Sequence, residues 1–403
     1  MTKLLKKFGP GFLFAGAAIG VSHLVQSTRA GADFGLGLLW ALLLINIVKY
    51  PFFQFGPRYA SATGENLLQG FAKMHKGVLV AYFLVSFATM FTIQTAVTIV
   101  TAGIASSLFE SGSLVLWTTL VTSGGFLILL LGKYKVLDSL MKYIVILLTI
   151  STILAVILAF TKFETSFSFQ QILPKDAVGV AFLIAFMGWM PAPLDITIWQ
   201  SIWTVEKAKI NSKILFKESL FDFNVGYITT IFLGVCFMIL GTLVMFGSGE
   251  IFSSNGTQFA NQLIGMYTTS LGDWAKFIIG LAALATMFST TLTTLDASPR
   301  VMHISSELLF KKTFKHGYLV WLLILIVGTL SIFFFFVSEM GFLIQIATVL
   351  SFLTAPFYAI ISYVLLTGKH TPKVAQPSKS LKGFSLLGIL VLVGFSVWYL
   401  VSL

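Results

Sequence analysis

Runs of about 20 predominantly apolar residues, the length a helix needs to cross the hydrocarbon core of a bilayer, recur from one end of this 403-residue chain to the other. Divided wherever charges or turn residues cluster, the runs predict eleven spans, over residues 9–30, 36–57, 77–108, 114–132, 137–160, 177–203, 222–247, 274–298, 318–337, 342–366 and 383–402. The third and sixth exceed one straight crossing and are expected to tilt or break. The gaps are too short for a soluble domain; the longest, 248–273, is expected to be a loop with a short helix. A 57% apolar share against 10% charged, with 40 Phe, fits a lipid-facing surface; soluble domains carry about a quarter charged residues. The single Cys cannot build an intramolecular disulfide framework. The first run, from Phe8 to Val25, is long enough to span and shows no small-residue cleavage site, so no signal peptide is expected.

The net charge of +11 sits in the gaps, where it reads as a topology signal and not as a nucleic-acid footprint. With Lys3, Lys6 and Lys7 inside, alternate gaps are basic: Arg58, Lys73 and Lys76; Lys133 and Lys135; Lys207, Lys209, Lys213 and Lys217; Arg300, Lys311, Lys312 and Lys315; Lys369, Lys373, Lys379 and Lys382. The remaining gaps hold Arg29, Lys162 and Lys175, with Lys276 at a helix start. This register places the N-terminus inside and the C-terminus outside.

Two spans carry breaks. Gly16, Gly20 and Ser22 interrupt the first, followed by His23 and Gln26; Gly188-Trp189-Met190-Pro191-Ala192-Pro193 interrupts the sixth, followed by Asp195 and Thr197. Proline removes a backbone donor and frees carbonyls around 187 to 189. Broken helices at positions one and six match a five-plus-five arrangement of inverted repeats, about 9–160 and 177–366, with 383–402 left over. The whole of 1–403 then forms one transmembrane domain. Proline kinks and glycine contacts are also common in ordinary membrane helices, but breaks at both matching positions point to a solute site between them.

At these residues the chain resembles the natural resistance-associated macrophage protein (NRAMP) family of proton-coupled divalent-metal transporters. The likeness is carried by Gly9-Pro10-Gly11-Phe12-Leu13, Ala30-Gly31-Ala32, Phe34-Gly35, Leu38-Leu39-Trp40 and Thr63-Gly64-Glu65-Asn66-Leu67, then by Met190-Pro191, Ser289-Thr290 and Pro356-Phe357. It covers most of the chain and is strongest over 9–70. The resemblance implies the leucine-transporter fold, all-α, with helices one and six unwound at mid-membrane. It departs at the site. The family's Asp-Pro-Gly-Asn metal-binding stretch falls on Gly20, Val21, Ser22 and His23; its methionine ligand remains as Met190; its sixth-helix histidines fall on Ala192 and Thr197; its third-helix acidic pair falls on Thr95 and Thr98.

A divalent ion needs carboxylate, imidazole or thiolate ligands to offset its dehydration. Met190 alone is insufficient, and His23 with Asp195 are the residues that could replace the lost ones. The alternatives are that His23 bonds a freed carbonyl and that Asp195 pairs with a cation or donor near the intracellular mouth. Gly20, Val21, Ser22, His23, Gln26, Met187, Trp189, Met190 and Asp195 are the expected substrate-binding residues, with Trp189 either stacking on an organic solute or filling space. By analogy with the fold, Ser289, Thr290 and Thr291 are candidates for a sodium site, or simply back-bond in their helix. Lys49 reads as a snorkelling side chain. Asp296 and Arg300, four apart, read as a structural or gating pair, and Arg29 with Asp33 as an interfacial anchor.

The expectation is an alternating-access secondary transporter in a bacterial plasma membrane, not an enzyme, with lipid and a small ion or solute as partners. A divalent cation is the first substrate class and a small organic solute or anion the second. No cofactor is expected beyond a coupling ion, H+ or Na+. A channel or sensor on the same fold is the other class. An intramembrane hydrolase is disfavoured, since Ser22 beside His23 is poor nucleophile–base geometry. Alkaline phosphatase fused after residue 403 or within 163–175 should be active, and fused within 206–215 inactive; the reverse pattern would invert the orientation.

Overall fold

The computed structural model describes residues 9–131, 134–162, 168–211, 216–249, 252–253, 256–335 and 340–402. Lys3, Lys6, Lys7, Lys133 and Lys213, used above for orientation, lie outside them. The first run is three pieces: α1 (Pro10–Ala18), a segment wound with the wider π repeat (Val21–Ser27) and α2 (Thr28–Phe34). Then follow α3 (Leu39–Thr63), α4 (Leu67–Met74), α5 (Lys76–Phe109), α6 (Leu114–Leu131) and α7 (Tyr134–Lys162). The sixth run is two helices, α8 (Ala177–Trp189) and α9 (Ile196–Asn211). The rest are α10 (Phe216–Val244), α11 (Gly256–Leu271), α12 (Ala275–Phe310), α13 (Gly317–Phe335), α14 (Met340–Thr367) and α15 (Lys379–Ser402).

Among the described residues, seven helices are long and apolar enough to cross a membrane: α3, α5, α10, α12, α13, α14 and α15. Shorter apolar helices lie within α6, α7 and α8. Where the eighth run was expected to end at 298, α12 continues through Pro299 to Phe310. One proline removes one donor and need not stop a helix held on both sides of it. The gap before α12 holds α11, a helix of 16 residues.

Packing around the broken first helix is close because side chains are missing there. A Cβ on Gly241 of α10 would run into the Thr28 carbonyl, and one on Gly31 into the Met238 carbonyl. Such small-residue seams let membrane helices approach on backbone contacts. Asp222 of α10 closes the start of α1, accepting from the Gly9 and Gly11 amides at 3.2 and 2.9 Å. A carboxylate at a helix N-terminus satisfies orphan donors and complements the dipole. One turn inward, Phe14 packs edge-on against Phe53 at 5.2 Å and stacks on Tyr227 at 5.8 Å. These rings close the bundle between the start of α1 and the break.

Candidate functional site

The two breaks lie side by side in the interior and are satisfied by different means. In the first, Gly20 admits the approach of α12: a Cβ there would sit 2.6 Å from the Thr290 hydroxyl. Thr290 Oγ1 lies 3.2 Å from the Gly16 carbonyl and 3.4 Å from that of Ile19. The eighth-span hydroxyl therefore meets the carbonyls freed in the first. Ser289, by contrast, bonds back to Thr286 at 2.7 Å, and Thr291 meets Thr101 at 2.7 Å.

His23 is fully buried on the π-wound segment. Its Nε2 lies 2.8 Å from the Thr230 carbonyl of α10, and its Nδ1 2.6 Å from Ser22 Oγ. Nε2–H donates to the Thr230 carbonyl, while Nδ1 and the Ala18 carbonyl, each 2.6 Å from Ser22 Oγ, compete for its single hydroxyl proton. Both ring nitrogens are engaged, so a metal could reach the imidazole only by displacing one of these partners.

The second break is organised around Lys49. Its side chain is fully buried, not snorkelled. Nζ donates to the carbonyls of Met187 (2.8 Å), Gly188 (2.7 Å), Met190 (3.0 Å) and Ala192 (3.2 Å). Four acceptors and no donor surround the nitrogen, which suits an ammonium with three N–H groups. The carbonyls belong to the C-terminal end of α8 and the irregular turn after it, where the helix dipole also favours a cation. Gly188 is required here as well, since a Cβ would run into the Thr348 carbonyl of α14. The Met190–Pro191 peptide is cis.

The remaining predicted residues divide around this centre. Met190 is fully buried, with Sδ 3.8 Å from Ser27 Oγ and its side chain against Gly234 of α10. Thus His23 and Met190 both face α10. Asp195 faces elsewhere: it lines a small cavity with Ser86, Thr89, Trp199, Ser298 and Met302. Its Oδ1 is buried without a hydrogen-bond partner. Asp195 is within electrostatic reach of Lys49, Tyr82 and Tyr358. Trp189 donates to Ser351 at 2.8 Å and is spent on packing against α14. Val21 and Met187 are buried wall residues. Among the described residues no group of three or more His, Cys, Asp or Glu could hold a metal ion.

Thr95, Thr98 and Thr197, where the resemblance puts acids and a histidine in the family, are structural here. Thr197 donates to the Phe52 carbonyl at 2.9 Å and accepts from the Gly56 amide at 3.1 Å, stitching α9 to the proline-bearing part of α3. Thr95 bonds the Phe91 carbonyl at 2.7 Å. Thr98 accepts from Gln94 at 3.1 Å, and Gln94 accepts from Thr294 at 2.6 Å, a neutral buried network. At the far end of α12, Arg300 grips Asp296 through Nη2 (2.6 Å) and Nε (3.2 Å), and Tyr318 donates to Asp296 at 2.8 Å. Arg300 borders a cavity of about 440 Å³ beside α4 and α9.

On the other side of the breaks, a second cavity of about 250 Å³ lies among Gln26, Arg29, Phe182, Phe252, Phe259 and Gln345. It was not foreseen, because Arg29 and Asp33 read as an interfacial anchor. Gln26 is among the expected substrate-binding residues, but its place on the π-wound segment hides its approach to Arg29 from ordinary helical spacing.

Comparisons with known proteins bear on this geometry. Residues 11–402 match the family model described as natural resistance-associated macrophage protein-like. An uncharacterized protein of Pasteurella multocida, PM0681, is 36% identical over 97% of this chain and 91% of its own length. The manganese transporter of Eremococcus coleocola, in complex with an aromatic bis-isothiourea substituted compound, superposes with a TM-score of 0.76 at 14% identity, covering 100% of this chain and 86% of the other. MhsT in complex with L-phenylalanine superposes at 0.64 and 14% identity, covering 96% and 98%. Mhp1, a nucleobase-cation-symport-1 family transporter with bromovinylhydantoin bound, gives 0.63 and 14%, covering 98% and 92%. The chain has the leucine-transporter fold these neighbours share.

Lys49→Met, which removes the donor and leaves the four carbonyls, should destabilise the purified protein by about 3 kcal/mol or more. Thermal unfolding in detergent, with the exposed Lys379→Met as control, measures it. A melting temperature equal to wild type would mean that the ammonium contributes nothing to holding the break.

Proposed function

The chain belongs to the natural resistance-associated macrophage protein-like family of membrane transporters, and we propose that it carries a small organic solute or anion by alternating access, not a divalent metal ion. The cargo passes between the broken first and sixth helices, around which the two halves, about 9–160 and 177–366, rock. One observation carries this reading. Lys49 already fills the carbonyl cage of the sixth-helix break with a cation, through four bonds of 2.7 to 3.2 Å. A second cation brought there meets the like charge of Lys49; the first break carries no carboxylate among Gly20 to Ser27, and Asp195, after the second, faces α5 and α12. Among structures of the same fold, one holds L-phenylalanine and another a hydantoin derivative, which supports the capacity of this architecture for organic ligands.

A divalent cation remains the second reading. It is favoured by the family, by the manganese-transporting structural neighbour, and by the Met190 thioether facing Ser27 beside His23. In that case His23, Met190 and Asp195 would have to converge, with His23 leaving its carbonyl and Asp195 turning inward. For the coupling ion, Thr290 against the Gly16 and Ile19 carbonyls supports sodium. The neutral Gln94–Thr98–Thr294 network supplies no acid for a proton relay.

Isothermal titration of manganese and magnesium into the folded protein should give no saturable heat. Saturable binding that both Met190→Ala and His23→Ala weaken would overturn the proposal in favour of a rebuilt metal site.

A further inference from the structure

The cavity beyond the breaks contains two buried polar atoms with nothing to bond. Gln26, only 2% exposed, presents an Oε1 without a hydrogen-bond partner. Three residues on, the Arg29 Nε is likewise buried and without one. One is an acceptor and the other a donor, and both side chains line the same space of about 250 Å³. Leaving either group unpaired in an apolar setting costs about 1–3 kcal/mol, so each calls for a partner, and one ligand in the cavity can supply both.

The surroundings narrow the ligand's chemistry. Phe182, which lines the cavity, lies under the Arg29 guanidinium at 5.3 Å and holds its plane. Phe252 and Phe259 complete apolar walls, and Gln345 adds an amide. Arg29 carries the only formal charge among the described residues lining the space. Asp33, one turn further on, feels that charge but does not occupy Nε. A guanidinium favours a carboxylate, to which it can donate through a fork. An unpaired amide oxygen asks for an N–H. The volume lies below the ~300–1,000 Å³ typical of drug-sized ligands.

We propose that this vestibule is a binding subsite for a small organic acid that carries both a carboxylate and an N–H, of the amino-acid or amide-acid class. The carboxylate meets Arg29, the N–H meets Gln26 Oε1, and the carbon frame lies against the phenylalanines. The inference rests on the organic-cargo reading above and gives it a substrate class. Gln26 lies near the end of the π-wound segment, Val21–Ser27, that begins at the first break, so a molecule seated here adjoins the route between the broken helices.

N-acetylglycine, which has both groups, is the probe, titrated calorimetrically into the purified full chain. Its methyl ester lacks the charge, and N-acetylsarcosine lacks the N–H. N-acetylglycine should bind saturably and each analogue about tenfold or more weaker, the loss of one such hydrogen bond. Arg29→Gln and Gln26→Leu should each weaken N-acetylglycine by about tenfold or more, with melting temperatures matching wild type to show that both fold. Binding that both variants retain would remove the subsite and leave the organic-cargo reading standing. Folded wild-type protein that ignores N-acetylglycine overturns the subsite, and if it also binds manganese, both readings fall.

Discussion

A helix broken inside a bilayer must find partners for its carbonyls without water, and here a lysine supplies them. Lys49 reaches from α3 to four carbonyls of the sixth-span break. Burying an ammonium costs several kcal/mol, which only a dense shell of acceptors at the negative end of a helix can offset. The arrangement works in both directions, since the same carbonyls would be costly without the cation. The geometry of α8, the turn to Asp195 and the seat of α3 against both depend on this contact.

The first break is held without charge. Its π winding spreads the backbone from Val21 to Ser27; Ser22 and Thr290 take the carbonyls left over at 16, 18 and 19, and His23 reaches out to the Thr230 carbonyl of α10. Helix one therefore has neutral, exchangeable partners on α10 and α12, whereas helix six is pinned by charge-assisted bonds from Lys49 to its carbonyls. Of the two, the first needs less rearrangement to open, because hydroxyls and an imidazole can trade one carbonyl for another.

Both breaks were legible in the sequence, because glycine and proline act on the backbone where they stand. The carbonyls expected to be free at 187 to 189 are those that Lys49 takes at 187 and 188. Which residue would take them was not legible. Lys49 sits in a helix apolar on all sides, so periodicity gave its depth and no facing direction. The Thr230 partner of His23 is 207 residues away in sequence. Asp195 follows an irregular turn, so helical spacing could not say that it faces α5 and α12 instead of His23. The vestibule escaped for a related reason: Gln26 belongs to a π-wound stretch, and its walls come from four distant segments.

The charge at the two breaks is what supports the proposed organic cargo over a metal ion. The resemblance puts an acid at the first break in the family, at the position of Gly20, and this chain adds a buried cation at the second. A divalent ion beside Lys49 is opposed by the ammonium, a charge that Asp195, within its electrostatic reach, offsets in part, and one thioether recovers little of the dehydration cost. An anion placed there gains where the metal loses. In the proposed reading, the loss of the acid at Gly20 and the presence of Lys49 favour a carboxylate between the helices, with Arg29 of the same sign beyond the first break. The buried Lys49 and the half-buried Arg29 thus act in one direction on the proposed route, and both favour an anion.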